Sequence, residues 1–85
     1  MKKTRSPRVG KLIEQADRAV RRTISESRKD RGLSQEATAE LMGWTVDMMG
    51  NIEKGRRGIT VAEFIVVAKQ LGLNPETMFR RVLKW

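Results

Sequence analysis

The chain has 85 residues and a net charge of +8, with a pI near 10.9, which supports one small domain and points to an anionic partner, most often nucleic acid. It contains no Cys and no His, so disulfides, thiol nucleophiles, imidazole bases and the usual zinc ligands are excluded together. No paired-carboxylate or glycine-rich phosphate motif appears, so catalytic residues, a metal and a cofactor are not expected.

No run of about 18 apolar residues is present to span a membrane. The basic N-terminus lacks the apolar stretch of a secretory signal, and a cytoplasmic location is expected. The charge is uneven. Residues 1–22 carry eight basic side chains against Glu14 and Asp17, a net of +6, and residues 23–85 carry only +2.

Residues 1–8, MKKTRSPR, are charged and poor in bulky apolar groups, which predicts a flexible basic arm. Its cations Lys2, Lys3, Arg5 and Arg8 suit a phosphate backbone or a minor groove; a solubilising tail is the alternative. From Val9 the pattern turns helical, with Val9, Leu12, Ile13, Ala16, Val20, Ile24 and Ser27 on one face at spacings of three and four. This first helix runs either unbroken to about Arg31 or in two segments with a break near Asp17. Gly32 ends it.

Ser34 is a good N-cap for a second helix over about Gln35 to Met42, with Glu36 in the first turn to complement the dipole. Gly43 sits where a tight turn favours positive φ. Thr45 caps a third helix ending at Gly55, and Arg56, Arg57 and Gly58 form a loop. Thr60 and Glu63 make a capping box for a fourth helix through Leu71. Asn74 and Pro75 take the N-cap and N1 positions of a fifth helix running towards Trp85. Val61, Phe64, Val67, Ala68 and Leu71 should form the buried stripe of the fourth helix, and Met78, Phe79, Val82 and Leu83 that of the fifth. The expected fold is all-α: five helices, with residues 9–85 as one domain behind the arm.

Between Gln35 and Lys54 the small, turn and apolar residues fall where a helix-turn-helix needs them. Ala39 allows close helix crossing, and Met42, Trp44, Met49 and Ile52 supply the apolar contacts that lock the two helices together. Trp44 is expected to pack under the turn. Taken with Arg28, GLSQE at 32–36, MGWT at 42–45, IEKG at 52–55 and VAKQLGL at 67–73, the run from about Val20 to Phe79 resembles the Cro/C1-type helix-turn-helix family, the lambda repressor-like fold. The later part, from Arg57 to Leu83, is also similar to the small controller proteins of restriction–modification systems.

The resemblance implies double-stranded DNA as partner and assigns roles. Val46, Asp47, Gly50 and Asn51 occupy the base-facing positions of the third helix. Gln35, Thr45, Lys54, Arg56 and Arg57 fall where phosphates are met. Arg28 and Glu53 match an ion pair that ties the first helix to the end of the third. Some positions depart from the family pattern. Among the base-facing residues only Asn51 is a usual base reader, and Asp47 would lie near phosphates. No Lys or Arg occurs from Ser34 to Glu53. Thr38 replaces a buried aliphatic residue, and Leu41 and Val66 stand where polar residues are usual.

Val66, Val82, Leu83 and Trp85 are more apolar surface than one small domain buries easily. They suggest a two-fold homodimer through the fourth and fifth helices, with recognition helices about 34 Å apart. The alternative is a monomer whose last helix simply closes the core. Two functions follow: a regulator that binds a palindromic operator as a dimer, or a helix-turn-helix module that binds another regulatory protein.

Overall fold

The computed structural model describes residues 6–84. Five α-helices follow in order: α1 (Pro7–Asp30), α2 (Gln35–Met42), α3 (Val46–Glu53), α4 (Val61–Gln70) and α5 (Pro75–Val82). Among the described residues there is no strand, in keeping with the expected all-α class.

α1 begins earlier than its apolar periodicity suggests. Ser6 is the N-cap, its hydroxyl accepting the Val9 N–H at 3.2 Å, and Pro7 follows at the position where its missing N–H costs nothing. Arg8 therefore stands in the first turn of a helix rather than in an arm. Lys2, Lys3 and Arg5 lie outside the described residues, as does Trp85. Nothing interrupts α1 at Asp17, and the helix continues unbroken to Asp30.

The remaining helix ends follow local chemistry. The hydroxyls of Ser34 and Thr45 accept the N–H groups of Ala37 and Met48 at 3.0 and 3.1 Å. Thr60 and Glu63 form a reciprocal capping box. Gly43, with φ of +70°, lets the chain reverse so that the Trp44 N–H reaches the Ala39 carbonyl at 2.8 Å. This bond closes the α2–turn–α3 unit.

The core gathers Ala19 and Ile24 of α1, Ala39 of α2, Met49 and Ile52 of α3, Phe64, Val67 and Ala68 of α4, and Met78 and Val82 of α5. Each of the larger side chains contributes about 1.5–3 kcal/mol by leaving water. Trp44 packs half-buried against this core. Thr38 is buried in place of an aliphatic residue, and its hydroxyl is satisfied by donating to the Ser34 carbonyl at 3.0 Å.

The buried stripes are narrower than the sequence pattern suggests. Val61 is 76% exposed, Phe79 49% and Leu83 59%. On α5 the core takes only Met78 and Val82, one position per turn. Phe79 and Leu83, one residue further on, are rotated about 100° away from it. Phe79 keeps one aromatic contact, edge-on to Phe64 at 6.2 Å. Polar ties hold the outer elements in place. Arg81 donates to the buried Ser27 hydroxyl at 3.1 Å and pairs with Glu26 at 3.2 Å, binding α5 to α1. Gln70 donates to the Leu41 carbonyl at 2.7 Å, binding α4 to the end of α2.

Candidate nucleic-acid interface

α3 is eight residues long and buries Met49 and Ile52. At about 100° per residue its opposite face must carry Val46, Asp47, Gly50 and Asn51. These four line one shallow concavity, together with Gln35 at the start of α2 and Lys54 and Arg56 just beyond α3. The sequence separates these residues by up to 21 positions, and the turn at Gly43 brings them together. Among the described residues the Asn51 carboxamide has no side-chain hydrogen bond, and Lys54 and Arg56 are exposed. Gly50 has ordinary helical φ, and a Cβ placed there would meet nothing closer than Gln35 Oε1 at 3.8 Å. The fold itself does not require glycine at that position.

Behind this surface lies a polar brace. Arg28 Nε donates to Glu53 Oε2 at 2.6 Å, and Nη2 donates to Oε1 at 2.9 Å, a two-point grip. Arg28 Nη1 also donates to the Leu33 carbonyl at 3.1 Å. Gln35 Nε2 donates to Glu53 Oε1 at 2.9 Å. The side chains of Arg28 and Glu53 are only 10% and 8% exposed. Burial pushes the Glu53 carboxyl up, but the bonds from Arg28 and Gln35 and the positive charge of Arg28 and Lys29 prevail and hold it below its ordinary value. Arg28 is in turn held more firmly protonated by its bond to Glu53. The brace fixes the end of α3 against α1 and the start of α2, so the exposed face of α3 is held in place. Gln35 thus belongs partly to this brace rather than wholly to a phosphate.

Other expected phosphate contacts prove to be engaged within the chain. The Thr45 hydroxyl accepts the Met48 N–H to cap α3 and keeps its own proton to donate. Arg57 pairs with Glu63 at 3.0 Å, donates to the Gly58 carbonyl at 2.9 Å and lies 5.9 Å from the Trp44 ring centroid. Its guanidinium joins the loop to the α4 cap and covers the indole. The bond from Arg57 and the Thr60 N–H hold the Glu63 carboxyl below its ordinary range. Val82, expected at an interface between copies, is 4% exposed and belongs to the chain's own core. Val66 and Leu83 are exposed.

Two features of the basic surface escape a reading of composition. Lys11, Arg18, Arg22 and Lys29 are all exposed on α1. Their spacing places them on one line of the helix, so much of the N-terminal charge forms an ordered ridge. Arg21 packs its guanidinium against Gly55, where an added Cβ would lie 2.8 Å from Arg21 Cζ. That contact sets a cation beside the loop carrying Lys54 and Arg56. The clue in the sequence is that Arg21 precedes Arg28 by seven residues and so shares its edge of α1.

Comparison with known proteins agrees with this fold. A helix-turn-helix family model, HTH_3, matches residues 24–78. The fold is similar to that of an XRE-family-like protein from Pseudomonas syringae pv. tomato str. DC3000, at 19% identity over 93% of this chain and 96% of that one, with a TM-score of 0.84. It is also similar to an HTH_3 family transcriptional regulator from Vibrio cholerae, at 33% identity and a TM-score of 0.67. That match covers 75% of this chain but only 36% of the longer regulator. No curated protein sequence matches the chain. With the family model spanning more than half of its length, the chain belongs to the Cro/C1-type helix-turn-helix family of DNA-binding transcription regulators.

Proposed function

We propose that this protein binds a palindromic operator in double-stranded DNA as a homodimer and so regulates transcription. The observation that carries this is the shared surface of α3: Val46, Asp47, Gly50 and Asn51 sit in one concavity with Gln35, Lys54 and Arg56. Asn51 is the base reader, suited to the two hydrogen-bonding atoms of an adenine edge. Val46 meets a thymine methyl, and Asp47 accepts from a cytosine amino group against the repulsion of the nearby phosphates. Gly50 admits close approach of the groove. Lys54 and Arg56 grip the flanking phosphates, joined by Arg21 and by the α1 ridge. The affinity is largely electrostatic, since the chain carries +8 and Lys54, Arg56 and Arg21 flank the end of the recognition helix.

The test is retardation and footprinting of DNA taken from around the protein's own gene, over a range of salt. Binding should weaken steeply as salt rises. Asn51→Ala should relax sequence preference at one position by about 1–3 kcal/mol, whereas Arg56→Ala should weaken binding to all sequences and lower the salt slope by about one. A second reading is favoured by one observation. From Gln35 to Glu53 the surface is acidic and bears the exposed apolar side chains Leu41 and Val46, which suits a second regulatory protein. No retardation at low salt, with another regulator co-purifying, would select that reading.

A further inference from the structure

α1 is longer than the domain it serves. Its 24 residues span about 36 Å, and its first buried residue is Ala19. The half before Ala19 projects, which accounts for dimensions of 43 × 26 × 18 Å. The apolar face of this projecting half is the same face that enters the core further along. Val9, Leu12 and Ile13 lie on it, and all three are exposed. At Val20 the stripe runs into an apolar groove, walled by Ile59, by Val61 and Ile65 of α4, and by Phe64 and Phe79. Among the described residues Glu76 is the one charged residue lining it. Arg8 stands on the projecting helix one turn before Leu12.

We propose that the N-terminal half of α1 is an exchange arm that docks into this groove on a second copy of the chain. The inference rests on the dimeric reading above and moves its interface from Val66 and Leu83 to this surface. Four features of the molecule point to a second copy. The projecting stripe and the concave groove are both apolar, belong to one chain and meet at Val20. A single two-fold axis near Val20 therefore lets each arm fill the other copy's groove. α1 is unbroken, so an arm cannot fold back on to its own groove. The exposed side chains of stripe and groove range from 39% to 76% exposure and amount to roughly 500 Å² per copy, the size of patch that marks an interaction site. Two such patches bury roughly 1,000 Å² together, the threshold of a specific dimer. The charges also match: Arg8 on the arm meets Glu76 at the groove, whose exposed i,i+4 pair with Arg80 at 3.0 Å is weak enough to be shared.

The chain has no native cysteine, so introduced thiols report the contact cleanly. Ile13→Cys and Ile65→Cys chains, each alone and then mixed, are exposed to a mild oxidant. A disulfide-linked dimer from the mixture, with little from either chain alone, is the expected result. In sedimentation the parent chain should dimerise at tens of micromolar. Leu12→Asp and Val61→Glu should each raise the dissociation constant by about ten-fold or more, and Val66→Glu and Leu83→Asp should leave it unchanged. All four positions are exposed, and far-UV circular dichroism checks that each variant stays helical. A parent chain that remains monomeric both free and on DNA overturns the proposal. So does a dimer broken by Val66→Glu or Leu83→Asp but not by Leu12→Asp. A monomer that instead binds phosphatidylserine vesicles, and loses this with Leu12→Asp, overturns it in favour of a lipid surface. Retardation of DNA by such a monomer would leave the DNA-binding reading standing, so the two failures are distinguishable.

Discussion

Replacing Glu53 by alanine removes the carboxylate that Arg28 grips with bonds of 2.6 and 2.9 Å. The guanidinium then keeps only the Leu33 carbonyl, at 3.1 Å, and Gln35 loses its partner as well. Breaking a fully buried pair from one side costs about 3–5 kcal/mol. Here the two side chains remain 10% and 8% exposed, so some water reaches the orphaned cation and a loss of about 3 kcal/mol is expected. A domain of this size holds about 5–10 kcal/mol in all, and each kcal/mol moves its melting point by about 4–8 °C. Glu53→Ala should therefore unfold about 12–24 °C below the parent. Urea titration followed by tryptophan fluorescence and far-UV circular dichroism measures the loss directly, with an unchanged slope if the folded state stays compact. In a cycle with Arg28→Ala, the double variant should recover about 2 kcal/mol relative to the sum of the singles. A Glu53→Ala chain within about 1 kcal/mol of the parent, or strictly additive losses, would refute the account of the brace.

The brace also sets a pH dependence. Glu53 titrates below its ordinary value of 4.5 in the folded chain, so its contribution is present above that value and is lost as pH falls through the lowered folded one. Stability should be level from neutral pH to about 5 and decline below it, and Arg28→Ala should flatten that decline when urea midpoints are compared. Gly50→Ala should stabilise the chain by about 0.5–1 kcal/mol, because α3 gains helix propensity and the new methyl meets nothing tight; a loss of stability on urea titration would contradict this. Arg57→Ala should lower stability with little change in the salt slope of DNA retardation, the reverse of Arg56→Ala, because the Arg57 guanidinium is held by Glu63 and Gly58. Val82→Ala should cost about 1–3 kcal/mol and Leu83→Ala under about 0.5, measured in the same titration, since only Val82 is in the core.

How far the sequence discloses this protein depends on the range of the interactions concerned. Helix ends are local. Ser34, Thr45, Thr60 and Asn74 each cap with their own side chain, and Gly43 takes its positive φ within one turn, so four residues of sequence suffice to place them. Ser6 and Pro7 carry the same signal at the head of α1; the basic composition around them obscures it. The spacing of Ala39, Gly43, Met49 and Ile52 likewise determines the helix-turn-helix, because one close crossing and one turn leave few other arrangements. Which side of an amphipathic helix meets a neighbour is not local. Val61 and Phe79 have the periodicity of core residues yet line an open groove, because the contact between α4, α5 and α1 is narrower than the apolar stripes that form it. The destinations of long charged side chains are equally non-local. Arg57 turns inward to Glu63 and Trp44 and Arg21 reaches Gly55, because a guanidinium on a flexible stem goes to whichever partner the fold brings near. The sequence by itself determined the helices, their caps and the motif. Only the tertiary structure decided that α1 projects half uncovered and that Arg21 of α1 joins Lys54 and Arg56 beside the end of α3, since both depend on where the packed body ends.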